Sequence, residues 1–273
     1  MERIATSIEK MNIPYGMKER MRVFIESQHQ SNLKKQENPL KNLEGTSEYR
    51  CSKCRDMTFI IEDGVANVCE CKALRDAEDI LRKSGISEEF RNKRFKNFDY
   101  SKDEQIFKAY KSATGYVKDF KDKEKCRNNS IMLTGQVGSG KTHLCLAIAN
   151  ELMYDGVSVI YMGYRDVITR LKQNMMDEAY YNKVIGRYKN CRVLLIDDLF
   201  KGSITSSDIN IVFELLNFRY FNNLPVIVSS ELCVSKLMEL DEAIGSRLVE
   251  MCRGSLVEMK GKRLNYRMYG NII

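Results

Sequence analysis

The stretch Gly135-Gln136-Val137-Gly138-Ser139-Gly140-Lys141-Thr142 constrains this chain more than any other. It fits G-x-x-x-x-G-K-[ST], and it stands between the apolar run Ser130–Thr134 and a helical pattern that runs to about Tyr154. Its glycines let main-chain amides converge on phosphate oxygens, and the helix that opens there adds partial positive charge. Lys141 is expected to reach the β- and γ-phosphates of a nucleotide, and the Thr142 hydroxyl to ligate Mg2+. With His143, the loop makes up the expected nucleotide contacts.

Downstream, short apolar runs alternate with helical stretches. VSVIYM reads as a buried strand, followed by helical sequence to about Tyr188; CRVLLID, DINIVFELLNFRYF and LPVIVSS then read as strand, helix and strand. This alternation predicts an α/β fold with a parallel sheet covered on both faces. The run Val193–Asp198 is an apolar strand ending in two acids, which a parallel sheet carries to its ligand-facing edge. Asp197 is expected to hold Mg2+, directly or through water, and Asp198 to polarise an attacking water as general base.

Nine cysteines in 273 residues raise a separate question. The first 21 residues contain no apolar signal-peptide core, and an odd cysteine number argues against a disulfide framework, so a cytoplasmic protein is expected. No apolar run is long enough for a membrane span. Cys51-x2-Cys54 and Cys69-x-Cys71 flank an apolar stretch with an Asp-Gly turn signal. Two thiolate pairs joined by a hairpin suit tetrahedral Zn2+, as a closed structural site. Cys126, Cys145, Cys191, Cys233 and Cys252 are read as packing residues. The net charge of +7 suits a polyanion.

Ahead of the cysteines, residues 1–30 show two apolar helical stripes separated by Pro14, and residues 31–48 read as a linker. The expected organisation is a helical segment with linker over 1–48, a zinc-binding module over 49–85 and an ATPase domain over 86–273. Residues 74–83 are expected to be helical, ending at Gly85, and residues 104–120 form another amphipathic helix.

GQVGSGKTHL, VLLIDDLFKG, NFRY, LPVIVSSE and IGSRLVEMC together resemble the DnaC/DnaI-type helicase loaders, AAA+ ATPases related to the IstB transposition helpers. The resemblance spans about residues 90–265 and extends to the cysteine region, which resembles the zinc module of DnaI-type members. It implies ATP hydrolysis, self-association through the ATPase domain, and Arg247 as a finger that reaches the γ-phosphate held by a neighbouring subunit. It offers Arg219 a place at the subunit interface, with a packing role equally open. Phe95 and Phe98 match the stretch that flanks the adenine, with core packing as the alternative. Where such proteins carry a phosphate-sensing asparagine, this chain has Ser230 and Glu231 as candidates. Beyond Arg247 the sequence reads as a strand, a turn and a short solvated tail, too short for a full helical lid.

The resemblance further implies a DnaB-type replicative helicase as partner, gripped by the N-terminal region, and single-stranded DNA as ligand. Residues 1–30 suit a groove on that partner or packing on their own domain. Lys93, Arg94 and Lys96, interleaved with Phe95 and Phe98, are candidates for the DNA contact. The expected function is ATP-dependent loading of the replicative helicase onto single-stranded DNA during replication initiation. An IstB-like regulator of a DNA transposase, a small-molecule phosphotransferase and a nucleotide-holding binding module are the rivals.

Overall fold

A computed structural model describes residues 49, 51–62, 65–69, 71, 72, 75, 82–101 and 103–269. The helical stripes and linker expected over residues 1–48 lie outside the described residues. The chain divides into two compact units, Met1–Lys72 and Ala73–Ile273.

The described part of the first unit is a hairpin. Strands β1 (Phe59–Glu62) and β2 (Val65–Val68) pair antiparallel, with Glu62 opposite Val65. The cysteine pairs flank this ladder in sequence, and the Cys69 N–H donates to Thr58 O at 2.9 Å.

In the second unit, helices α1 (Glu88–Arg91) and α2 (Glu104–Lys123) precede the sheet. Five strands follow: β3 (Ile131–Gly135), β4 (Val159–Gly163), β5 (Val193–Leu199), β6 (Val226–Ser230) and β7 (Leu256–Met259). Their order is β4-β5-β6-β3-β7, and every pairing is parallel. The connections carry α3 (Lys141–Tyr154), α4 (Tyr164–Gln173), α5 (Glu178–Asn190), α6 (Ser206–Phe221), α7 (Val234–Leu240) and α8 (Glu242–Met251). A one-turn helix, α9 (Tyr266–Tyr269), follows β7.

Strand alternation divides the core into two. Ile131, Leu133, Val193, Leu195 and Ile227 face α2 and α3, while Met132, Leu194, Ile196, Val226 and Val228 face α4 to α8. Both faces are apolar because helices cover both, as the continuous apolar runs of the sequence predict.

The α5–β5 and α6–β6 junctions are tied by one side chain. Arg219 is fully buried, and its guanidinium donates to Tyr188 O, Cys191 O and Pro225 O at 2.9, 2.9 and 2.6 Å. The structure thus chooses between the two roles the sequence left open: a side chain sealed under its own backbone carbonyls is not exposed for a neighbouring subunit. Of the cysteines read as packing residues, Cys145 and Cys252 are fully buried in the core. Cys126 departs from that reading: it lies exposed, three residues past the end of α2.

Candidate functional site

The C-terminal edge of the sheet gathers the residues that the sequence singled out. β3 runs into Gly135, and α3 opens at Lys141 with Gly140 as its N-cap. Gly138 and Gly140 have φ of +74° and +89°, a region that L side chains rarely adopt. Both are also crowded: a Cβ on Gly140 would lie 2.6 Å from the Phe98 ring, and one on Gly138 would lie 2.2 Å from Asn265 Oδ1. Glycine is therefore required there by backbone and neighbours alike. Lys141 Nζ folds over the loop and donates to Gly135 O and Gln136 O at 2.8 and 2.7 Å. Burial draws its pKa down, against the raising pull of Glu231 and Asp198.

Thr142 and Asp197 meet directly, from different elements. Thr142 Oγ1 donates to Asp197 Oδ1 at 2.8 Å, 55 residues on in sequence. A hydroxyl and a carboxylate converging at the mouth of a phosphate loop are hard oxygen donors of the kind Mg2+ takes, so the residues fit that ion. Asp197 is itself held by side chains that sequence reasoning passed over. Ser229 Oγ donates to Asp197 Oδ1 at 2.6 Å and accepts the Asp198 N–H at 2.8 Å. Tyr161 OH donates to Asp197 Oδ2 at 3.2 Å, and burial followed by the Asp197 charge keeps the phenol protonated. The signal for Ser229 was positional: β6 lies between β3 and β5, so the end of β6 abuts both the loop and the acids.

The two sensor candidates are placed differently. Ser230 is fully buried, with its hydroxyl donating to Leu199 O at 2.8 Å. Glu231 pairs with Lys201 at 3.0 Å, and Lys201 also pairs with Asp198 at 2.8 Å.

Phe98 stands edge-on to His143, 5.2 Å between centroids, and stacks parallel to Tyr110. It thus borders the nucleotide loop, while Phe95 packs edge-on to Tyr110, and both rings rest against the same core cluster. His143 Nε2 lies 3.0 Å from Arg94 O, and burial lowers its pKa. Arg94 pairs with Glu151 at 3.0 Å and lies over the Tyr154 ring. The tail is more engaged than a solvated tail would be. Leu264 is buried and the Tyr266 N–H donates to Gly138 O at 3.0 Å, whereas Arg263 and Arg267 are exposed.

Arg247 lies on α8, over the Phe213 and Tyr220 rings at 5.3 and 5.4 Å, with its guanidinium donating to Ala243 O. The contacts made by its guanidinium are with α6 and α8, not with the phosphate loop of its own chain. Gly245, two residues earlier, brings α8 onto α7: a Cβ there would lie 3.1 Å from the Met238 backbone.

In the first unit, the four cysteine sulfurs lie within 4.8 Å of one another. Cys51 and Cys69 Sγ are 3.9 Å apart, and Cys54 and Cys71 Sγ are 3.3 Å apart. A tetrahedron of four sulfurs with Zn–S of about 2.3 Å has edges of about 3.8 Å, so the set fits such an ion. Backbone amides near Cys54 draw Cys51 down to about 7, while burial and then the neighbouring thiols push Cys71 up to about 12.

Comparison with known proteins is consistent with this geometry. The family model described as IstB-like ATP binding protein matches residues 46–268. The phage-like element PBSX protein XkdC of Bacillus subtilis (strain 168) is 40% identical over 237 residues, covering 82% of this chain and 88% of XkdC. The replicative helicase loader DnaC of Escherichia coli (strain K12) is 24% identical over 174 residues, covering 63% of this chain and 68% of DnaC. A crystal structure of the DnaC helicase loader superposes with a TM-score of 0.55 at 23% identity, over 64% of this chain and 100% of that one, and shares the fold.

Proposed function

This chain belongs to the family of IstB-like ATP-binding proteins, with an AAA+ fold, and on that premise we propose that it is an ATP-dependent loader of the replicative DNA helicase onto single-stranded DNA. One observation carries the loader reading over its rivals. A four-thiol module stands ahead of the ATPase domain in the chain, and the cysteine region resembles the zinc module of DnaI-type loaders. The similarity to a replicative helicase loader supports it further.

At the nucleotide site, the amides of Gly135–Thr142 bind the phosphate tail of ATP. Lys141 moves from the loop carbonyls to the β- and γ-phosphate oxygens. Thr142 and Asp197 hold Mg2+, which when bound neutralises charge that develops on the transferring phosphoryl group. Ser229 and Tyr161 fix both oxygens of Asp197, so its geometry is set before nucleotide arrives. Asp198 orients a water and accepts its proton. Arg247 of one subunit completes the site of the next, which ties turnover to self-association. Phe98 and His143 border the base side. Cys51, Cys54, Cys69 and Cys71 hold Zn2+, which when bound supplies folding energy to a hairpin too small to stand alone. The module, with residues 1–48, is the grip on the helicase. Its bounds at residue 85 and those of the ATPase domain from 86 belong to the same reading.

A cytoplasmic location accords with it, and no helix among the described residues is long and apolar enough to cross a membrane. The family match favours a second reading, an IstB-like regulator of a DNA transposase, which shares the ATPase core. Co-purification of the full chain with the host's hexameric helicase, with and without ATP, separates the two. A complex whose measured mass contains both proteins is expected with ATP; recovery of a transposase without helicase would overturn the loader reading.

A further inference from the structure

The segment after the two acids is bent and held by charge. β5 leaves its regular register between Ile196 and Leu199. Asp198 and Phe200 both sit in the left-handed region, with φ of +58° and +59°. A bulky residue such as Phe200 adopts that conformation only where its surroundings enforce it. Here the Phe200 ring is buried against Tyr164, and Ser229 Oγ accepts the Asp198 N–H. The tight turn brings Lys201 back over the acids: its N–H donates to Asp198 O at 3.0 Å, and its ammonium lies 2.8 Å from Asp198 Oδ2 and 3.0 Å from Glu231 Oε1.

One ammonium thus serves two carboxylates. An ammonium hydrogen-bonded to Asp198 Oδ2 occupies the oxygen that would otherwise face a water. It also fixes the carboxylate's direction. Glu231, just past the end of β6, is the second seat for the same ammonium. We propose that Lys201 is a positioning residue that clamps Asp198 in a resting arrangement, and that transfer of its ammonium wholly to Glu231 releases Asp198 to orient water. The inference rests on the reading of Asp198 as the base. A strained backbone in this place suits an element with two arrangements. The side chains are partly exposed, 42% for Lys201, 33% for Asp198 and 31% for Glu231, so the clamp is weak enough to open and is screened by salt.

Steady-state phosphate release by the full chain, read beside the affinity for Mg-ATP, tests the clamp. Lys201→Ala is expected to raise kcat about two- to fivefold, the range that a partly exposed ion pair can bias. KM and nucleotide affinity stay unchanged, and the rise of wild-type turnover with moderate salt disappears. Lys201→Arg keeps the low resting rate. Glu231→Gln, which removes the second seat, lowers kcat below wild type. Lys201→Ala combined with Asp198→Asn falls to the rate of Asp198→Asn alone. Turnover by Lys201→Ala equal to or below wild type, with Mg-ATP binding intact, would overturn the clamp. If Asp198→Asn also leaves turnover unchanged, the assignment of the base has failed and the clamp falls with it. A drop in Asp198→Asn turnover without any gain in Lys201→Ala refutes the clamp alone.

Discussion

Ser229 shows how much of this site lies outside the recognisable motifs. Its hydroxyl spans the two acids, donating to Asp197 and accepting the Asp198 amide. Groups that orient a metal-binding carboxylate are worth about 10- to 100-fold in metal affinity or activity. Ser229→Ala is therefore expected to weaken Mg-dependent ATP turnover by about that factor, and to lower stability by about 1–3 kcal/mol because the Asp198 N–H loses the acceptor that the fully buried Ser229 supplies. A titration of turnover against Mg2+ reads it, and an unchanged magnesium midpoint would count against the role. Arg219 makes the opposite case. It is fully buried and donates to carbonyls of two chain segments. Its removal leaves several buried acceptors without donors, each costing about 1–3 kcal/mol. Arg219→Ala should lower unfolding free energy by at least about 3 kcal/mol, and Arg219→Lys should not restore it, because an ammonium lacks the planar fork. The sequence marks Lys141, Thr142, Asp197 and Asp198 because loop and strand-end chemistry is local. Ser229, Tyr161 and Lys201 were not legible: each matters through a partner brought near by β4 and β6 pairing or by a strained turn, and no short pattern encodes that.

Elements were read more fully than residues. Each strand of the parallel sheet is an uninterrupted apolar run because helices cover both of its faces, and such runs survive without knowledge of strand order. The order β4-β5-β6-β3-β7 was not readable, since crossovers leave no local trace. The expected strand at LPVIVSS forms over Val226–Ser230, and the last strand forms over Leu256–Met259. The tail beyond it is exposed at Arg263 and Arg267, as the sequence suggested; what the sequence did not show are its two anchors, the Tyr266 amide on Gly138 and the buried Leu264. The thiol-bearing hairpin makes its own prediction. One zinc per chain is expected by elemental analysis, and a strong chelator should unfold this unit while the ATPase unit stays folded. Lowering the pH should release the metal, because each ligand must be deprotonated to bind and thiols regain protons as pH falls. Retention of the hairpin's hydrogen-exchange protection after metal removal would contradict a structural role.

At the scale of the whole molecule, the proposal joins a zinc-binding module to an ATPase domain, with Arg247 as the proposed finger; Arg247 touches α6 and α8 of its own chain. Everything in it depends on the loop between β3 and α3 taking a nucleotide together with the Asp197 side. Isothermal titration of the full chain with ATP in the presence of Mg2+ tests this most directly, run in parallel on Lys141→Ala and Asp197→Asn. Saturable binding by the wild type is expected, with at least tenfold weaker binding by Lys141→Ala and loss of the magnesium dependence in Asp197→Asn. No detectable heat of binding from the wild type, or the same affinity in all three proteins, would contradict the proposal.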